Sequence, residues 1–217
     1  MIIVAGGIGT RMGAEIPKQF IELKGRPILM HTLANMKEVN PLMRLILVLP
    51  SDQIKEWEKL CEKHDFRVAH KVAKGGKTRF LSVQNGLNIV DGQALIGVHD
   101  GVRPLFSAEL VQKTFAKAEE TGAAIPVTPM VQSLRRVNGA SSNAVDRSEY
   151  RMVQTPQCFK STVLKAAFAN ATHINYSDDA AVVEANGIAV SLVDGDPENI
   201  KITTPEDLLF AELIVSR

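Results

Sequence analysis

Residues 44–49 read RLILVL, a run with no polar alternation behind its arginine. A strand with one face in water would alternate, so this one is expected to be covered on both faces. Further strands are expected at 1–5, 67–71, 95–99 and 123–127. Helical patterns separate them at 27–38, 52–64, 78–90, 107–121 and 160–171. Strands alternating with helices imply right-handed βαβ units, hence an α/β fold built on a mostly parallel sheet flanked by helices. Helix 52–64 is expected to take Ser51 or Asp52 as its N-cap. It places Ile54, Trp57, Leu60 and Cys61 on one face, with Trp57 in the core.

The pattern breaks near residue 128. Residues 131–153 show polar alternation and an Asn138-Gly139 turn signal, with no convincing helix. Two short strands around that turn would form an arm at about 130–150 projecting from the main sheet. A lone two-stranded ribbon is marginal in water, so a partner should cover it.

A chain of 217 residues suits one sizeable core, so 1–217 is read as a single domain. The net charge of +1 gives no global bias toward nucleic acid or a membrane surface, so any attraction for an anionic substrate must be local. Cys61 and Cys158 form no disulfide framework and fit a reducing compartment with inert thiols. No apolar run reaches membrane-spanning length. The chain enters a strand at once, leaving no room for a signal peptide; a cytoplasmic location is the expectation.

Strand 1–5 runs into a loop with Gly6, Gly7, Gly9 and Gly13, and with Arg11 and Lys18 in or just after it. Closely approaching backbone N–H groups and two cations make a polyphosphate site. A dinucleotide fingerprint fails, because Met12 stands where its third glycine belongs and the second strand starts only near Arg44. A Walker loop ending at Gly76-Lys77-Thr78 fails because Lys71 occupies its first glycine position. A nucleotidyltransferase loop, A-G-G-x-G-T-R-M followed by P-K, fits residues 5–12 and Pro17-Lys18 throughout.

Three further clusters follow. Val98-His99-Asp100-Gly101-Val102-Arg103-Pro104 begins at a strand's carboxyl end, where open parallel sheets bind ligands. Asp100 can accept from a hydroxyl or metal-bound water, and Arg103 can grip a phosphate; the two could instead simply pair with each other. His99 reads as a buried, hydrogen-bonded histidine. Gly75-Gly76-Lys77-Thr78-Arg79 with Ser82 suits recognition of a base edge, or else a helix start capped by Thr78 beside a solvated Arg79. The fourth set, Asp146-Arg147, Thr155-Pro156-Gln157, Ser177-Asp178-Asp179 and 198–203, is weak segment by segment. Arg147 on the arm and Lys201 on a late strand are reasonable anion ligands within it.

In order, AGGIGTRMG…PKQF, VHDGVRP, VDR…QTPQ, SDDA and ENIKITTP resemble the 2-C-methyl-D-erythritol 4-phosphate cytidylyltransferase family of the non-mevalonate isoprenoid pathway. The resemblance runs from Ile2 to about Leu213. It implies a Rossmann-like domain, a β-arm embracing a second subunit in a homodimer, CTP as nucleotide, Mg²⁺ carried mainly by the triphosphate, and a polyol phosphate acceptor. By position, Arg11 and Lys18 match the family's transition-state cations. Ala5, Gly6, Gly7, Gly9, Gly76, Ser82 and Asp100 match its nucleotide site. Asp100, Gly101, Arg103, Ser133, Thr155 and Ser177 match its acceptor side. Arg147, reaching across the dimer, and Lys201 match the residues that orient the attacking phosphate.

The chain departs from the family at a few places. Gln132 and Ser133 stand where an acidic residue and Thr are common, Lys77 replaces an acidic residue, and Ser177 replaces Thr. Ribitol 5-phosphate cytidylyltransferases share several of these motifs and are the close alternative; a non-catalytic nucleotide sensor on the same fold is another. The expected reaction is in-line displacement at the α-phosphorus of CTP by the acceptor's phosphate. It needs no protein nucleophile, only positioning and charge neutralisation.

Overall fold

The computed structural model describes residues 1–7 and 16–216. In chain order its first half comprises β1 (Ile2–Val4), β2 (Glu22–Leu23), β3 (Arg26–Pro27), α1 (Ile28–Val39), β4 (Ile46–Leu49), α2 (Ile54–Lys63), β5 (Lys71–Lys74), α3 (Arg79–Leu87) and β6 (Leu95–Asp100). There follow α4 (Ala108–Thr121), β7 (Ala123–Pro129), β8 (Leu134–Asn138), β9 (Ser141–Val145), β10 (Arg151–Val153), β11 (Gln157–Lys160), α5 (Ser161–Ala169), α6 (Asp179–Glu184), β12 (Ser191–Asp194) and α7 (Pro205–Val215). The main sheet has the order β10-β7-β11-β6-β1-β4-β5, with β12 paired to β7.

The apolar run at 44–49 is buried on both faces for a visible reason. Ile46 and Val48 point into one core with Phe80, Val83, Leu87, Leu164 and Phe168. Leu45, Leu47 and Leu49 point into the other with Leu29, Leu33, Trp57 and Leu110. The central strand β1 splits likewise, Ile2 to the first layer and Ile3 to the second. Each such fully buried aliphatic side chain contributes roughly 1.5–3 kcal/mol. Trp57 anchors the second layer: it stacks on Phe20 at 6.2 Å, meets Phe66 edge-on, and donates from Nε1 to His70 Nε2 at 3.0 Å.

Several expectations shift. The strand expected at 67–71 forms at Lys71–Lys74, where parallel pairing to β4 begins at Ile46↔Lys71. Upstream, His70 is instead held by Val68 O and Trp57. Helix 52–64 is not capped by Ser51 or Asp52: the chain first turns, Gln53 N donating to Pro50 O, and Gln53 precedes α2 without a side-chain cap. The sheet also contains two antiparallel strands that the alternation did not announce. β11 inserts between β6 and β7, and β10 pairs with β7. Because β11 runs backwards, its start at Gln157 lies beside Val98, near the carboxyl end of β6. Residues just before β11 therefore join those just after β6.

The arm is present. β8 and β9 pair with each other in register Leu134↔Val145 to Asn138↔Ser141, separate from the main sheet. Gly139, at φ +58, supplies the left-handed turn residue. Val131 and Val137 are exposed on it, and Met152, Val153 and Leu192 are exposed nearby on the terminal strands of the sheet.

Candidate active site

A cleft of about 290 Å³ opens at the carboxyl ends of β1 and β4 and the start of α3. Ala5, Gly6, Gly7 and Lys18 form one wall; Gly75, Gly76, Thr78, Arg79 and Ser82 form another; Asp100 and Lys201 close the third. A larger groove of about 820 Å³ lies at the opposite end of the strands, lined by Met1, Arg44, Leu95 and Phe115, and contains none of the expected site residues.

Glycine is needed where the cleft is tightest. A Cβ on Gly7 would come within 2.7 Å of Lys18 Cε, so the lysine side chain lies directly over the glycine backbone. A Cβ on Gly76 would fall 2.4 Å from Leu81 Cβ and 3.0 Å from its backbone carbonyl carbon. The Gly76 N–H is aimed at Ser82 Oγ at 3.1 Å, and Ser82 donates back to Thr78 O at 2.9 Å. Thr78 caps α3 through its side chain, accepting from Leu81 N. The Thr78 cap weighed for this segment is thus present, and Gly76 and Ser82 of the same turn face the cleft.

Asp100 is the only carboxylate among the described residues of the cleft. Lys201 Nζ lies 3.0 Å from its Oδ2 and Arg103 Nε 3.3 Å. Burial alone would raise this carboxyl, but Lys201, Arg79 and Arg103 outweigh it and hold it far below the ordinary carboxylate range. The simple Asp–Arg pairing weighed for this segment is therefore present, with Lys201 added. Arg103 also donates to Asn199 O at 2.7 Å, so its guanidinium braces the loop that presents Lys201. That loop is not the late strand expected: β12 ends at Asp194, and residues 201–203 adopt no regular structure.

His99 is fully buried and neutral. Its Nε2 donates to Arg103 O at 2.9 Å, which leaves Nδ1 to accept from the Thr155 hydroxyl at 3.0 Å. Thr155 Oγ1 in turn accepts from Asp100 N at 3.1 Å. Burial pulls the imidazole down to about 4. Thr155 thus supports the Asp100 backbone, and Asn199 Nδ2 holds Thr155 O at 2.8 Å. Gly101 is buried; its carbonyl accepts from Thr32 at 2.9 Å, and a Cβ there would approach Ala5 Cβ to 2.9 Å.

Arg147, Ser133 and Ser177 lie apart from this cleft in a single chain. Arg147 opens a 3-10 turn (Arg147–Glu149) just after β9, at the base of the arm, and its guanidinium donates to Val131 O. Ser133 and Ser177 are exposed and do not line the cleft. Gly9 and Arg11 lie outside the described residues. Arg79 corrects the solvated alternative: it lines the cleft and pairs with Asp179 at 2.6 Å, a partner 100 residues away. Arg79, Asp179, Gln157 and Asn199 were missed as individual residues. Their only signal was membership of short motifs whose partners are distant in sequence. Among the described residues no group of three His, Cys, Asp or Glu side chains could hold a metal, and no helix is long and apolar enough to cross a membrane.

The comparisons with known proteins agree across the whole chain. The family described as 2-C-methyl-D-erythritol 4-phosphate cytidylyltransferase (IspD) matches residues 1–217. A protein of that name from Bacteroides thetaiotaomicron is 50% identical over 215 residues, covering 99% of this chain and 98% of its own. One from Porphyromonas gingivalis is 48% identical over 216 residues, covering 99% and 96%. The crystal structure of the enzyme of that name from Thermus thermophilus superposes with a TM-score of 0.82 at 32% identity, covering 100% of this chain and 98% of its own. That of 4-diphosphocytidyl-2C-methyl-D-erythritol synthase from Anaerococcus prevotii gives 0.84 at 30%, covering 100% and 97%. Sequence, fold and cleft converge, and the chain belongs to the 2-C-methyl-D-erythritol 4-phosphate cytidylyltransferase family.

Proposed function

We propose that this chain transfers the cytidylyl group of CTP to 2-C-methyl-D-erythritol 4-phosphate, releasing pyrophosphate, in isoprenoid precursor synthesis. The observation that carries the reading is the cleft itself. A glycine-lined wall with Ser82 faces an Asp100–Lys201 pair across a space that Lys18 enters. A phosphate oxygen of the acceptor attacks the α-phosphorus in line; the bond to the bridging oxygen breaks and pyrophosphate leaves with its electron pair. The nucleophile is already anionic, so no side chain needs to remove a proton.

The work left to the protein is bringing anions together. Ala5, Gly6, Gly7, Gly9, Gly76 and Ser82 receive the nucleotide, with Asp100 at the boundary between the two substrates. Arg11 and Lys18 neutralise charge that builds on the α-phosphoryl oxygens. Lys18→Ala should lower kcat by roughly 10²-fold or more, the cost of losing one preorganised oxyanion donor. Lys201 and Arg147 orient the acceptor phosphate, with Gly101, Arg103, Ser133, Thr155 and Ser177 around it. Among the described residues of the cleft Asp100 is the one carboxylate and is already paired to cations, which suits a divalent ion whose ligands would come mainly from the triphosphate with Asp100 assisting. Such an ion, Mg²⁺ in this reading, supplies further charge neutralisation at the phosphates.

Arg147 lies outside the cleft of its own chain, and the arm carries exposed Val131 and Val137. These observations support a homodimer in which the arm brings Arg147 to the partner's acceptor site. Action in the cytoplasm is part of the same proposal. A substrate panel tests the reaction: pyrophosphate release from CTP and Mg²⁺ with methylerythritol phosphate, ribitol 5-phosphate or neither. Release with methylerythritol phosphate is expected. Release with ribitol 5-phosphate alone would make the chain a ribitol phosphate enzyme, and none with either would make it a nucleotide sensor.

A further inference from the structure

The Arg79–Asp179 pair joins two parts of the molecule that no backbone pairing joins. Arg79 is the first residue of α3, directly after the Gly75-Gly76 turn; Asp179 is the first residue of α6, directly after Ser177-Asp178. Their contact is 2.6 Å, with the Asp179 side chain 1% and the Arg79 side chain 27% exposed. A second link runs parallel to it. Phe80, the next residue of α3, stacks on Tyr176 at 5.7 Å, and Tyr176 in turn stacks on His173 at 4.0 Å. Ser177 thus sits between two residues that are both fastened to the first turn of α3.

Both helices of this link are anchored in one core, and the segment between them and the acceptor side is not. α3 is built into the core: Phe80, Val83 and Leu87 are buried, and a Cβ on Gly86 would meet Ile2 Cγ2 at 2.8 Å. α6 is short but shares that core through Val182 and Val183, whereas the chain at 172–175 and Ser177 is exposed. Gln157 fixes the α6 backbone, accepting from Asp179 N and Ala180 N at 3.0 Å each and donating to Asp178. It does not touch α3. Asp179 also retains one buried oxygen, Oδ1, with no hydrogen-bond partner among the described residues. Burying a carboxylate with one oxygen unpartnered is costly, and the contact with Arg79 is what offsets that cost.

We propose that Arg79 and Asp179 are positioning residues that hold the Ser177 loop in register with the nucleotide-binding turn, so that the acceptor docks correctly against bound CTP. This rests on the assignment of Ser177 to the acceptor side. Because the exposed Ser177 segment is the side held by fewest contacts and Arg79 itself lines the cleft, the link is best broken at Asp179: Asp179→Asn should disturb acceptor binding and leave the nucleotide site intact. The pair belongs to one network, so removing either partner or both should have about the same effect.

The test is steady-state kinetics on Asp179→Asn, Arg79→Lys, Arg79→Ala and the Arg79→Ala/Asp179→Asn double variant, with thermal unfolding of each. In Asp179→Asn the KM for methylerythritol phosphate at saturating CTP should rise about tenfold, within the range for coupled neighbours. The KM for CTP should stay within about twofold, inside the scatter expected of an uncoupled site. Arg79→Lys, which keeps the charge, should recover part of what Arg79→Ala loses, and the double variant should be no worse than the poorer single one. Equal rises in both KM values, or loss of Tm with both KM values unchanged, would overturn the proposal; in that case the pair merely stabilises the fold. Ser177→Ala, measured alongside, separates the two readings. If it leaves the acceptor KM unchanged, the Ser177 assignment fails and the inference with it. If it raises that KM while Asp179→Asn does not, the inference alone fails. Should Asp179→Asn not fold, Asp179→Glu, which keeps the charge and shifts its position, decides the matter by the same split in KM.

Discussion

At the scale of single residues, the cleft is governed by how charges are paired. Lys201 compensates Asp100 and is exposed enough to meet a ligand, with 40% of its side chain accessible. Lys201→Ala should therefore do two things. It should raise the KM for the acceptor with little change in that for CTP. It should also move acid unfolding to higher pH. The carboxyl of Asp100 is depressed in the folded state, so its stabilisation is complete above the ordinary carboxylate range and lost as pH falls through the folded value. Removing Lys201 raises that folded value and brings the loss to milder acid. His99 has the same sign: its folded value is lowered from 6.5 to about 4, so the unfolded chain binds the proton first. Stability should fall by roughly 3 kcal/mol between those limits, measured by urea unfolding across the range, and His99→Gln should flatten that part of the curve. A wild-type curve level between pH 7 and 4 would contradict the buried neutral imidazole.

At the scale of elements, what could be read from the sequence and what could not divide along physical lines. α1, α3, α4 and their strands were legible because each is a local periodicity ended by a local signal, such as Thr78 or Ser107 as cap. β11 was not, because QCFK is too short for a pattern and its place depends on registering with β6 and β7 on either side. The glycine walls of the cleft were legible as motifs, since a glycine demanded by close approach announces itself. The Arg79–Asp179 pair was not, since its two halves are 100 residues apart and each looks like surface charge. The arm was visible from its polar alternation and its Asn138-Gly139 turn signal, and its isolation from the main sheet permits a clean experiment. Replacing residues 134–145 by a short Gly-Ser linker should leave the cooperative melt of the sheet in place. In the proposed homodimer it should also give a monomer in sedimentation and raise the acceptor KM, because the arm would no longer carry Arg147 to a partner. A dimer that survives the replacement would remove the arm from the interface.

At the scale of the whole molecule, the site is a meeting of distant segments. Residues 5–7 and 18 from one end of the chain, 75–82 and 100–103 from the middle, and 199–202 from the other end share a few ångströms. Asn199 and Ile202 are fully buried, so the last segment is part of the core as well as of the cleft. A chain cut after Glu198 should lose cooperative unfolding, followed by circular dichroism on heating; a sharp native-like transition would show the first 198 residues to be self-sufficient. The Asp100–Lys201 bridge also has a consequence in time. A ribosome adds about 5–20 residues per second, so roughly 5–20 seconds separate the synthesis of these two partners. For that interval the nascent chain carries a carboxylate bound for burial without its main countercharge, and the β6 end of the sheet has every reason to stay open. Synthesis of residues 199–202 and completion of the cleft are then the same event, and a chain stopped short of them would carry an unfinished edge beside β6.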